Sequence, residues 1–142
     1  MEIINATINE LENVYKLLCE LEHKKLNKND FVKVYRDNLE NKNVHYILAV
    51  NKLDIIGFAS LHIQKLLHHC GYIGEIHEII ISKDYQGKGV GTMLFNELKS
   101  IAIENKCVQL EVCCNLARKQ SHKFYIIQSM KKSHYKFTFI LT

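Results

Sequence analysis

The sequence predicts an α/β chain of the α+β kind: a mixed, mostly antiparallel central sheet flanked by helices on both faces. Three observations carry that expectation. Apolar periodicity alternates between two and about 3.6 residues in the order β-α-α-β-β-β-α-β-α-β. A polar turn, "NKLD", joins two apolar runs as a hairpin, which argues against an all-parallel sheet. The 142 residues contain no proline, repeat or linker-like stretch, so one domain over residues 1–142 is expected.

Each element has its own signal. "MEIINA" opens as a short strand. "TINELENVYKLLCELEHKKL" follows, with Thr7 and Glu10 at capping-box spacing and Leu11, Val14, Leu18 and Leu21 at helical intervals. "NDFVKVYRDNLEN" reads as a shorter helix capped by Asn29 or Asp30. "VHYILAV" and "IIGFASLHIQKL" form the hairpin, and "YIGEIHEIIIS" is a longer β-branched strand. Helix "GVGTMLFNELKSIAIENK", strand "VQLEVCC", helix "ARKQSHKFYIIQ" and a final strand "YKFTFILT" complete the order.

Composition narrows the partners. At 47% hydrophobic and 24% charged, the chain is an ordinary globular protein. Its net charge of +4 comes almost wholly from scattered lysines, Arg36 and Arg118 being the only arginines, so no nucleic-acid partner is expected. No segment reaches the apolar length of a membrane span and the N-terminus lacks a signal-peptide pattern, so a cytoplasmic protein without a membrane partner is expected. Cys19, Cys70, Cys107, Cys113 and Cys114 form neither a C-x-x-C pair nor a zinc-ligand set, which reads as reduced structural thiols.

Half of the six glycines fall within residues 87–91, between a strand and a helix. Glycine permits positive φ and close approach to the main chain, and a helix N-terminus offers unpaired N–H groups. Together they make an anion site, usually for phosphate. A Walker loop is absent. A dinucleotide fingerprint fits Gly87 and Gly89, but its third glycine falls one place early, at Gly91.

A third pattern, Q-x-x-G-x-G, is met by Gln86, Gly89 and Gly91. The loop with its flanking strand and helix resembles the GNAT superfamily of N-acetyltransferases, whose loop cradles the pyrophosphate of coenzyme A. That resemblance implies the GNAT fold, acetyl-CoA as co-substrate and a small-molecule amine as acceptor. It assigns coenzyme A binding to Ile79, Ile80, Ile81, Gln86, Gly87, Lys88, Gly89, Val90, Gly91 and Thr92. A second signature, "NLARKQSHKFY", places Asn115 against the pantetheine arm and makes Tyr125 the acid that protonates the departing thiolate. "LCELEHKKL", "LHIQKLLHHCGYIGEIHEI" and "SHYKFT" are similar to the aminoalkylphosphonate N-acetyltransferases. The chain departs from that group at Ser129, where glycine is usual, and at His77, where glutamine is expected.

Acetyl transfer needs a neutral amine, and an alkylammonium has a pKa near about 10, so a base must take its proton. Glu75 and Glu78 precede the loop; alternation sends them to opposite faces unless the strand bulges. Glu75 matches the general base of histone-acetylating relatives, and Glu78 competes with it if a bulge is present, so the base stays open between them. A main-chain N–H of Ile79 or Ile80 would stabilise the oxyanion. His62, His68 and His69 with the two glutamates leave a divalent-metal site open. A phosphonate acceptor would need a cation, for which Arg36 on the second helix, aided by His69, is the candidate. A homodimer is compatible with the fold. Two other readings share it: a coenzyme A-binding regulator or sensor without turnover, and a protein N-acetyltransferase.

Overall fold

The computed structural model describes residues 1–142 in two compact units, Met1–Glu111 and Val112–Thr142. The first holds strands β1 (Glu2–Asn5), β2 (Val44–Asn51), β3 (Asp54–Leu66), β4 (Gly71–Ile81) and nearly all of β5 (Cys107–Val112). With them come helices α1 (Leu11–Glu22), α2 (Lys28–Leu39) and α3 (Val90–Glu104). The sheet order is β1-β2-β3-β4-β5, and the first four strands pair antiparallel.

Alternation divides the sheet between two helical layers. Leu48, Phe58 and Ile80 lie in register on one face and pack with Val14, Leu17, Leu18 and Tyr35 of α1 and α2. Burying each such side chain stabilises by roughly 1.5–3 kcal/mol over leaving it exposed. The opposite face receives α3. A Cβ on Gly57 would sit 3.2 Å from the Leu94 side chain, and one on Gly74 would sit 3.4 Å from the Ala102 methyl. Leu94, Leu98 and Ala102 are accordingly buried.

Helix entries differ from the sequence expectation in detail. Thr7 accepts from the Asn9 N–H and donates to Glu10 at 2.6 Å, but this pair closes a 3₁₀ turn, Ile8–Glu10, ahead of α1. α2 is capped by Asn27, whose Oδ1 accepts from the Asp30 N–H at 3.0 Å, two residues before the expected cap.

The strongest irregularity lies between β3 and β4. Ser60 faces Glu78 while Leu61 faces Ile76, so β4 carries one extra residue, His77, opposite that step. This β-bulge shifts the phase of every later side chain in β4.

The second unit contains α4 (Lys119–Ile127) and no fully buried side chain. The helix ends with Met130 N–H on Tyr125 O at 3.0 Å and Ser129 N–H on Ile126 O at 2.9 Å. This is a Schellman close, with Ser129 at φ 67 where glycine usually stands. A side chain in that region costs about 1–2 kcal/mol. The expected final strand does not form: residues 130–142 have no regular structure and take no place in the sheet. A period of two becomes a strand only when an edge pairs with it.

Candidate active site

The bulge decides where the carboxylates point. In register, Glu75 faces His62 and Glu78 faces Ser60, two positions apart on β3, so both glutamates come to one face of the sheet. Simple alternation would have separated them.

Ser60 is fully buried and binds Glu78 twice. Its hydroxyl accepts from the Glu78 N–H at 3.1 Å and donates to the Glu78 carboxylate. The bulged amide and the side chain beyond it are thereby held by one group. Glu75 sits instead beside the His77 ring, with Oε1 3.1 Å from Nε2, and His77 stacks edge-on against His62 at 4.6 Å. Burial, and then the neighbouring His77, push His62 below the ordinary histidine value.

Glu78 also lines a cavity of about 370 Å³ beneath α1 and α2. Its walls are largely apolar and aromatic, including Leu18, Phe31, Tyr35, Tyr46 and Phe58, while Glu22 and Lys24 add charge. Four ring pairs at 5.1–6.0 Å connect Tyr15, Phe31, Tyr35, Tyr46 and Phe58, of which all but Tyr15 line the cavity. Tyr35 donates to Thr7 O at 2.7 Å, and burial raises its hydroxyl to about 12. Burial likewise raises Tyr46; the Asn38 hydrogen bond opposes this and the Glu78 charge adds to it. These phenols stay neutral near pH 7.

The glycine loop follows β4 directly. Gln86 Nε2 donates to Ile81 O at 3.1 Å, tying the loop to the strand end. Gly87 and Gly89 have φ of 74° and 84°, and a Cβ at either would meet nothing within 4 Å. Backbone angle rather than crowding therefore demands glycine, and the space above the loop is open. Gly89 stands at the N-cap of α3 without a side-chain cap, and the Met93 N–H closes on its carbonyl at 3.1 Å. The main chain at Val90 and Gly91 presents the positive end of the helix, the setting in which anions bind. Lys88 Nζ lies 5.3 Å from the centre of the Tyr85 ring at the same turn. Ile79, Ile80 and Ile81 pair with Ala59, Phe58 and Gly57 on the approach to this loop, and Thr92 lies in the first turn of α3.

Residues 10–127 match the acetyltransferase (GNAT) family. The chain belongs to that family. It is 34% identical over 137 residues to an aminoalkylphosphonate N-acetyltransferase of Salmonella typhimurium, covering 96% of this chain and 89% of that protein. Among solved structures it is similar to a transcriptional regulator from Bacillus halodurans, with TM-score 0.91, 21% identity and 99% of each chain covered. An aminoglycoside 6'-N-acetyltransferase from Acinetobacter haemolyticus gives TM-score 0.87 and 17% identity, covering 100% of this chain and 99% of that one. The mixed sheet and its helices are thus the GNAT fold, and the chain carries an acetyltransferase domain.

The remaining GNAT residues named from sequence lie as follows. In the second unit, Asn115 Oδ1 accepts from the Ala117 N–H at 2.9 Å, shaping the turn before α4. Tyr125 is half-buried; burial, with a contribution from Cys114, raises its hydroxyl to about 12, while Arg118 pulls the other way. It is a protonated donor throughout the neutral range. In the first unit, Arg36 is exposed on α2 and does not line the cavity. His69 is placed against Glu111 at 3.6 Å, also outside the cavity lining.

The metal expectation is corrected. No group of three or more His, Cys, Asp or Glu side chains is placed to hold a metal ion, because the histidines divide into a His62–His77 pair and a His68–His69 pair. All five cysteines are free, and burial raises the thiols of Cys107 and Cys114, the reverse of nucleophile activation. Sequence reading missed Ser60 and Lys24. A serine in a strand carries no signal until its partner is known, and a lysine in "EHKKL" resembles any solvated one.

Proposed function

We propose that this chain is a cytoplasmic, acetyl-CoA-dependent N-acetyltransferase of small amines, acting as one domain over residues 1–142, with an aminoalkylphosphonate as its acceptor. The observation that carries the reading is the Glu78 carboxylate, fixed by buried Ser60 in a cavity that Lys24 also lines. The family match and the aminoalkylphosphonate-acetylating relative support it.

Glu78 takes a proton from the ammonium, directly or through water, and leaves a lone pair to attack the thioester carbonyl. Glu75 beside His77 serves as the relay to solvent. A main-chain N–H of Ile79 or Ile80 receives the oxyanion as the tetrahedral intermediate forms. Main-chain donors from residues 87–92, with Lys88, hold the pyrophosphate. Asn115 meets the pantetheine arm, and Tyr125 hands its proton to the leaving thiolate. A phosphonate buried without a cation would be prohibitive. Lys24 takes that role in place of Arg36, being the cation at the cavity.

Release of coenzyme A thiol, followed across an acceptor series, tests this. Aminomethyl- and aminoethylphosphonate should react at least tenfold faster than uncharged amines of equal length, and Lys24→Ala should erase the preference. Better turnover of neutral amines or polyamines would sink the phosphonate assignment alone. Acetyl-CoA binding without thiol release for any amine would favour the sensor reading.

A further inference from the structure

Two phenols line the cavity beneath α1 and α2, and their protons go to different places. Tyr35 donates to Thr7 O at 2.7 Å, so its O–H is spent inside the protein. Tyr46 is the reverse case. Its hydroxyl accepts from Asn38 Nδ2 at 2.6 Å and donates to no protein group. A phenol that has received one donor still has its own proton to give. Left unpaired in a mostly apolar cavity, that donor costs free energy, which an oxygen of a ligand recovers.

Packing fixes where the proton is offered. The half-buried Tyr46 ring stacks on Tyr35 at 5.4 Å and meets Phe58 edge-on at 5.3 Å. With the ring held, Asn38 of α2 occupies one side of the oxygen and the O–H turns to the other. Burial keeps the hydroxyl protonated near pH 7, a donor rather than an anion.

The sheet sets this donor against the base. Tyr46 faces Ser60 and Ser60 faces Glu78, a row across three strands on one face. Ser60 is committed to Glu78 by both of its bonds. The row therefore presents a donor at one end and a carboxylate at the other, about 10 Å apart at the main chain. Lys24 at the same cavity is exposed, and an ammonium on a flexible stem supplies charge without direction. A clamped O–H supplies the direction.

We propose that Tyr46 determines acceptor specificity: its O–H, turned by the Asn38 amide, donates to an anionic oxygen of the acceptor while Glu78 faces the amine. This rests on the aminoalkylphosphonate reading above. Lys24 neutralises the acceptor and Tyr46 orients it. An amine without such an oxygen leaves the phenol unpaired and is rejected on that account.

Calorimetry in the presence of coenzyme A, with 2-aminoethylphosphonate and propylamine as probes, tests this. The wild type should bind the phosphonate at least tenfold tighter, and Tyr46→Phe should cut that ratio by about tenfold. Asn38→Asp should do the same with the tyrosine intact, because a carboxylate accepts the O–H and draws it from the cavity. The double variant Tyr46→Phe/Asn38→Asp should then be no worse than either single change. Additive losses would mark charge repulsion from Asn38→Asp and overturn the proposal. A ratio unchanged in Tyr46→Phe also overturns it, and leaves the phosphonate reading standing. A wild type that binds both probes equally overturns the two together. Should Tyr46→Phe fail to fold, Asn38→Leu decides beside Asn38→Asp. Leucine accepts no proton and should cost no more than about threefold, so equal losses in that pair overturn the proposal.

Discussion

The two units of the molecule are built on different principles. Every fully buried side chain falls between Ala6 and Ala102, whereas α4 and the residues after it bury none completely. In the first unit the bulge and buried Ser60 hold Glu78 at the wall of the cavity. In the second, Asn115 and Tyr125 are set by a local turn and one short helix. The contrast teaches that Glu78 is preorganised by packing across strands, whereas Asn115 and Tyr125 rest on local geometry.

The largest effect should come from breaking the preorganised side. Glu78→Gln is expected to lower kcat/KM by about 10²–10³, the usual share of general base catalysis. Acetyl-CoA affinity by calorimetry should not change, and Glu75→Gln should cost no more than about tenfold. Equal losses in the two variants would make the pair a shared base. Tyr125→Phe probes the other unit. Its kcat should fall by up to about 10²-fold with little change in KM, less if the thiolate leaves readily without help. Unchanged rates across the pH range would remove Tyr125 from the chemistry.

Gly89→Val forces a β-branched residue into φ 84 and intrudes on open space above the loop. Acetyl-CoA binding should weaken by at least tenfold, about 1.4 kcal/mol. Thermal melts should show the protein still folded, since the site touches no core. Ser60→Ala removes both bonds to Glu78, and the core suffers little loss of volume. We expect kcat to fall about tenfold with KM nearly constant, in line with the roughly 1–3 kcal/mol cost of a stranded polar partner. Ser60→Thr should restore part of the rate.

The smallest effect concerns pH. His45 and His62 are held below the ordinary histidine value chiefly by burial, and His45 Nε2 has no hydrogen-bond partner. The unfolded chain therefore binds protons that the folded one refuses. Stability is complete above the unfolded value of about 6.5 and is lost as pH falls below it. The melting temperature should drop by a few degrees from pH 7.5 to 5.5, and His45→Gln should flatten that slope.

The glycine loop was readable from sequence because its constraint is local: positive φ at Gly87 and Gly89 is a property of single residues. The helices were readable for the same reason, since Val14 and Leu18 repeat at the interval of one turn. Glu75 and Glu78 could be named, but not placed. One inserted residue, His77, decides their faces, and a bulge is set by pairing with β3 rather than by β4 itself.

By itself, then, the sequence determined what depends on neighbours within a few residues: element order, the loop, and the residue types available for chemistry. Tertiary structure alone decided what depends on chains meeting. Ser60 became a partner of Glu78 through cross-strand register, and Lys24 rather than Arg36 lined the cavity through the packing of α1 and α2. The closing segment forms no strand: its alternation supplies a face, whereas a strand also requires pairing with a neighbour.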